Sequence, residues 1–134
     1  MAKVIDIEGI GTVYAGKLNE VGIDTTDDLL RMAGPASGRR TLAAESGIDE
    51  RQLLEWVNRA DLMRVKGVGE EYSDLLEAAG VDSPTELANR NAANLHATMA
   101  ELNAAKKLVR REPSLGEVER WIADAKTLDK VVTH

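Results

Sequence analysis

No cysteine occurs in the 134 residues, which excludes disulfides and thiolate metal sites and is compatible with a cytoplasmic protein. Histidine is nearly absent as well: there are only His96 and His134, so a metal centre would find few ligands. Hydrophobic residues make up 43% of the chain, yet no apolar run approaches the roughly 18 residues needed to cross a bilayer. The opening residues, Met-Ala-Lys-Val-Ile-Asp, lack the long apolar stretch of a secretory signal, and no membrane partner is expected. A basic excess is missing too. There are 17 basic and 23 acidic side chains, net −6, and the parts before and after residue 60 each come to −3. A dedicated non-specific nucleic-acid binder usually carries a strong surplus of positive charge. Any nucleic-acid contact made by this chain is therefore expected to be local and strongly salt-dependent.

Catalytic patterns are lacking in the same way. There is no Walker loop and no nucleophile motif. Asp27, Asp28 and Glu86 read as helix-capping residues, not as a general acid and base, which require two carboxylates in different environments. The expectation is a protein that is not an enzyme and needs no cofactor.

What the chain does contain is a repeat. Ile7-Glu8-Gly9-Ile10-Gly11-Thr12-Val13-Tyr14 is answered by Val65-Lys66-Gly67-Val68-Gly69-Glu70-Glu71-Tyr72, 58 positions on from Gly9 to Gly67. Each stretch has the form apolar-x-Gly-apolar-Gly and runs straight into helical periodicity. Two glycines around one apolar residue allow a tight reversal, because glycine adopts positive φ at little cost. Beyond the turn, Tyr14, Leu18, Gly22, Ile23 and Asp24 match Tyr72, Leu76, Gly80, Val81 and Asp82 at the same spacing. Thr25 with Asp28 resembles a capping box, and Ser83-Pro84-Thr85-Glu86 matches it with Ser at the N-cap, Pro at N1 and Glu at N3.

Further on, Gly38-Arg39-Arg40 opens a helix that Gly47 closes, and Asp49 with Gln52 caps the next, which carries Trp56. In the second copy the spacing predicts one long helix from Asn91 to Arg111, broken by Pro113. Ser114 with Glu117 then caps the helix carrying Trp121. Trp121 answers Trp56 at a spacing of 65, so the second copy holds seven extra residues, assigned to its middle helix. No period-2 run suggests strands. The pattern predicts an all-α, internally duplicated bundle in one domain over residues 1–134. Repeat 1 covers about 3–60 and repeat 2 about 61–130, packed around a shared core.

The two Gly-apolar-Gly turns, each followed by Tyr14/Leu18 or Tyr72/Leu76, resemble helix-hairpin-helix motifs of a SAM-like bundle. Over Ile7–Leu30, Leu42–Trp56, Asp61–Leu87 and Ser114–Ala125 the chain is similar to a prokaryotic family catalogued as a domain of unknown function and grouped with tandem helix-hairpin-helix proteins. That resemblance implies the fold, and by analogy a non-catalytic role on DNA or RNA. In such motifs the hairpin amides hold a backbone phosphate, often beside a basic or hydroxyl residue after the second glycine. Gly9, Ile10, Gly11 and Thr12, with Lys17 one to two turns on, fit that pattern. Gly67, Val68 and Gly69 are followed by Glu70 and Glu71, whose carboxylates would repel a phosphate, with Lys66 and Arg64 as partial compensation.

Both hairpins also admit a plain structural reading, in which Gly-apolar-Gly only brings two helices close and the central Ile10 or Val68 plugs the core. Acids at a helix start are favourable with its dipole, which accounts for Glu70 and Glu71 without a ligand. Arg39 and Arg40, near a helix start where the dipole does not explain them, join the nucleic-acid set. That set is Gly9, Ile10, Gly11, Thr12, Lys17, Arg39, Arg40, Lys66, Gly67 and Gly69. Lys106, Lys107, Arg110 and Arg111 are open to two readings, a flank for a nucleic acid or an acidic partner and a solvated helix face, of which the second is the expectation. Trp56 and Trp121 are expected as core anchors, Tyr14 and Tyr72 as core-lining residues, and His96 as a surface helix position. The competing function is a protein-interaction module whose hairpins are purely structural.

Overall fold

The computed structural model describes residues 2–133. Every regular element among them is helical; the sole β feature is an isolated antiparallel bridge between Lys3 and Thr25. The chain divides into two compact units, Met1–Asp61 with Lys130–His134, and Leu62–Asp129.

The first unit begins with a single 3-10 turn, Val4–Asp6, and continues through α1 (Gly11–Glu20), α2 (Thr26–Ala33), α3 (Ala36–Ser46) and α4 (Glu50–Leu62). A Schellman bend ends α1: Gly22, at φ 88°, donates to the Asn19 carbonyl, and the Ile23 N–H reaches back to Leu18 at 2.9 Å. Ile23 is thereby driven inside, where it is fully buried with Leu18 and Leu29. Thr25 then caps α2 as the sequence predicts. Its Oγ1 accepts from the Asp28 N–H at 3.2 Å, and Asp28 Oδ2 accepts from the Thr25 N–H at 3.2 Å.

Two local expectations fail in this unit. Helix α3 starts at Ala36, directly after Pro35, and Gly38 lies inside it; a Cβ at Gly38 would strike the Met32 carbonyl oxygen. This glycine marks a close crossing of α2 and α3, not a helix start. Gln52 does not complete a capping box either. Its amide turns to Glu55, and Asp49 alone caps α4 by accepting from the Arg51 N–H at 2.7 Å.

The second unit holds α5 (Glu70–Ala78), α6 (Pro84–Ala88), α7 (Ala92–Lys106) and α8 (Leu115–Ala125). Its Schellman bend repeats the first bond for bond: Gly80 donates to Glu77 and Val81 to Leu76. Ser83 and Ser114 cap α6 and α8 through the N–H groups of Glu86 and Glu117, each at 3.1 Å. One core gathers Val65, Val68, Leu76, Leu87, Met99 and Trp121, with α6 and α7 packed on α8.

The predicted helix from Asn91 to Arg111 is corrected here. Helix α7 stops at Lys106 because Lys107 adopts the left-handed conformation, φ 51°, and Asn103 holds the exit. Its carbonyl accepts from the Lys107 N–H at 2.8 Å, and its side-chain oxygen accepts from the Val109 N–H at 2.9 Å. Residues 107–114 therefore form an irregular segment where the first unit has only 47–49, and most of the seven extra residues go there. Val109 is buried as expected, but it arrives from this segment and not from a helix face.

Candidate nucleic-acid interface

The first hairpin is built by two successive turns. The Ile7 N–H donates to Val4 at 3.0 Å and the Ile10 N–H to Ile7 at 3.2 Å, which places both isoleucines inward, each 2% exposed. Gly9 and Gly11 take φ 91° and 65°, and with Thr12 they remain exposed. Helix α1 starts at this point with no side-chain cap and no acid in its first turn. Amides in the first turn of a helix have no intrahelical acceptor, so the start of α1 presents donors to the outside. Lys17 is exposed on the same helix, its Nζ 5.8 Å from the centre of the Tyr14 ring. Tyr14 in turn meets Trp56 edge-on, centroids 5.0 Å apart.

The second hairpin repeats the scaffold and changes the chemistry. Val65 and Val68 are buried, the Val68 N–H donates to Val65 at 3.0 Å, and Gly67 has φ 92°. Tyr72 again stands 5.0 Å from its tryptophan, Trp121. Gly69, however, is extended (φ −100°, ψ −162°) and serves as the N-cap of α5, whose first turn carries Glu70 and Glu71. Across an open cleft of about 510 Å³ the irregular segment brings Val109, Arg110 and Arg111 to the turn. Arg110 pairs with Glu71 at 3.2 Å, and Arg111 grips Glu117 with two bonds of 2.8 and 3.0 Å. The Arg110 bond holds the Glu71 carboxyl below its ordinary range; the Arg111 bond, helped by the Ser114 N–H, takes Glu117 down to about 2. Burial raises the Tyr72 hydroxyl, which donates to the Arg111 carbonyl at 2.9 Å. The charges around this turn are thus largely satisfied among themselves.

A further pair of contacts ties down the two turns at corresponding places. In the first unit an Arg59 guanidinium N–H reaches the Glu8 carbonyl at 3.5 Å; in the second the Lys66 N–H donates to Asp124 Oδ2 at 2.9 Å. Glu8 corresponds to Lys66 and Arg59 to Asp124, so the contact keeps its place and reverses its direction: a side-chain donor meets a backbone carbonyl in the first unit, and a backbone N–H meets a side-chain carboxylate in the second.

The candidate residues do not all converge. Gly9, Gly11, Thr12 and Lys17 share the first hairpin and its helix. Ile10 belongs to the turn but cannot serve a ligand, because its side chain is buried and its N–H is spent on Ile7. Arg39 is a clear correction. It is 5% exposed, and its guanidinium donates to the carbonyls of Ala33 (3.0 Å), Gly34 (2.6 Å) and Thr133. Arg40 is exposed, in a cleft of about 250 Å³ lined by Ala36, Arg39, Glu50, Arg51 and Leu54, which shares no residue with the hairpin. Gly67, Gly69 and the Lys66 side chain are exposed at the second turn, with Gly67 backed by the Trp121 indole. Sequence reasoning missed Arg110 and Arg111 as neighbours of that turn because it kept them on a helix. It also missed that His96 is half-buried, its Nε2–H donating to the Pro113 carbonyl at 3.1 Å.

Both glycine turns lie within one matched family model. The chain belongs to the family described as Domain of unknown function (DUF4332), whose model covers residues 8–128. No solved structure matches the chain. The match takes in both glycine turns and both Tyr–Trp pairs and ends before residues 130–133. Among the described residues no helix is long and apolar enough to cross a membrane, and no group of three or more His, Cys, Asp or Glu could hold a metal ion.

Proposed function

We propose that this protein is a non-catalytic binding module of tandem helix-hairpin-helix type that contacts the sugar-phosphate backbone of DNA or RNA through its first hairpin, without reading sequence. The observation that carries the proposal is the contrast between the turns. At Gly9–Thr12 the uncapped start of α1 is exposed, free of acids in its first turn, and followed by the exposed Lys17. At Gly67–Gly69 the corresponding place is taken by Glu70 and Glu71, with Arg110 already paired. Helix N-termini favour anions through their free N–H groups and dipole. Phosphate contacts of this kind position a protein on a duplex and carry no base information.

Fluorescence anisotropy with labelled duplexes of unrelated sequence tests it. Binding is expected at low salt, equal across sequences, with a log–log salt slope of roughly −2 to −3 for two or three phosphates. Gly11→Asp and Lys17→Glu abolish it, while Gly69→Asp, which adds a carboxylate at the second turn, leaves it unchanged. Absence of binding, or equal loss in all three variants, refutes the assignment. One observation favours a protein partner instead: Val13, in the first turn of α1, is 71% exposed. Val13→Ser separates the readings, since it leaves a phosphate contact intact and weakens an apolar one.

A further inference from the structure

The N-terminus of α3 has no cap of its own. Pro35 occupies the N-cap position and offers no side-chain oxygen. The missing acceptor comes from 97 positions away: Thr133 Oγ1 accepts from the Ala36 N–H at 2.9 Å. The same residue bonds the corner twice more, its N–H donating to the Gly34 carbonyl at 3.0 Å and its carbonyl accepting from Arg39. Next to it Val132 is 4% exposed, and the Val131 carbonyl lies where any Cβ on Gly34 would stand. The α2–α3 corner is therefore a fitted seat for an extended segment, with glycine for close approach, a free helix amide, and a buried guanidinium.

The segment in the seat is weakly built by comparison. After α8 ends at Ala125 no regular element follows among the described residues, and the seat holds residues 131–133 by these few bonds and one buried valine. Segments with few buried contacts open at lower free energy than the helices they lean on. Helix α2 has its own cap in the Thr25 box, which does not involve the segment. Arg39 would retain the Ala33 and Gly34 carbonyls but lose its cover, and it already lines the cleft that contains Arg40 and Arg51.

We propose that residues 131–133 are a reversible clasp on the α2–α3 corner, opening in the native protein and thereby uncapping α3 and exposing Arg39 beside Arg40 and Arg51. The inference is independent of nucleic-acid binding, because its test reads only the free protein. Native-state hydrogen exchange on the full chain is the measurement, with the Ile23 N–H as the core reference. The Thr133 and Ala36 amides exchange together, at least tenfold faster than Ile23 and with little denaturant dependence, as expected of a local opening. Thr133→Ala lowers the protection of Ala36 about fivefold to tenfold, the usual worth of a lost cap, and Thr133→Ser restores it. In Thr133→Ala, arginine labelling by phenylglyoxal, followed by mass spectrometry, rises at Arg39 towards the level of Arg40. Exchange of Thr133 and Ala36 only through global unfolding overturns the clasp. So does an Ala36 amide untouched by Thr133→Ala, or Arg39 labelling that does not change.

Discussion

At the residue scale, adjacent arginines of identical sequence character do unrelated work. Arg39 points into the protein and bonds three carbonyls, and burial pulls its pKa below the ordinary guanidinium value without threatening its charge. Arg40 is solvent-exposed. Arg39→Ala leaves buried carbonyls unsatisfied and is expected to cost roughly 2–3 kcal/mol in urea denaturation, whereas Arg40→Ala stays within about 0.5 kcal/mol. Equal effects would contradict the structural role of Arg39. Nothing in the run Gly38-Arg39-Arg40 separates the two, since the run shows neither the α2–α3 corner whose Ala33 and Gly34 carbonyls accept from Arg39 nor Thr133, which is remote in sequence. The tryptophans were legible by contrast. Each sits at helical spacing from Leu53 or Val118, and both are buried, with a tyrosine against each ring.

At the scale of elements, what the sequence displays best is what local chemistry determines. The Thr25 and Ser114 boxes and the Gly22 and Gly80 bends all depend on residues within five positions of one another and form as read, whereas at Ser83 only half of the box forms, because the Glu86 carboxylate turns to Arg90. The end of α7 was illegible because no C′ glycine announces it; a non-glycine residue, Lys107, takes the left-handed conformation with help from Asn103. That one error hid the cationic wall of the second hairpin. The cap of α8 also carries a pH signature. Glu117 ionises near 2 in the folded protein against an ordinary value of 4.5, through Arg111 and the Ser114 N–H. Because the folded value is depressed, its contribution is complete above about pH 4.5 and disappears as pH falls towards 2. Stability curves of the native protein and Glu117→Gln are therefore expected to differ at pH 7 and converge across that window. A gap that persists at pH 2 would place the role of Glu117 elsewhere.

At the scale of the whole molecule, two units built on one plan carry different charges at their corresponding turns. The scaffold repeats in the plugs Ile10 and Val68, the Tyr–Trp pairs and the helix-end bends, while the charges do not. Glu8 and Arg59 become Lys66 and Asp124, and an acid-free helix start becomes one with two glutamates. With a net charge of −6, long-range attraction to a polyanion is absent, and the proposed contact relies on the short-range donors at Gly9–Thr12 and Lys17. The most direct measurement is a titration of the 15N-labelled chain with a short duplex at about 50 mM salt, where phosphate contacts are strongest. The amides of Gly11 and Thr12 are predicted to shift first and to saturate, with those of Gly69 and Glu70 unmoved. Perturbation centred on the second hairpin, or none at either, would contradict the account.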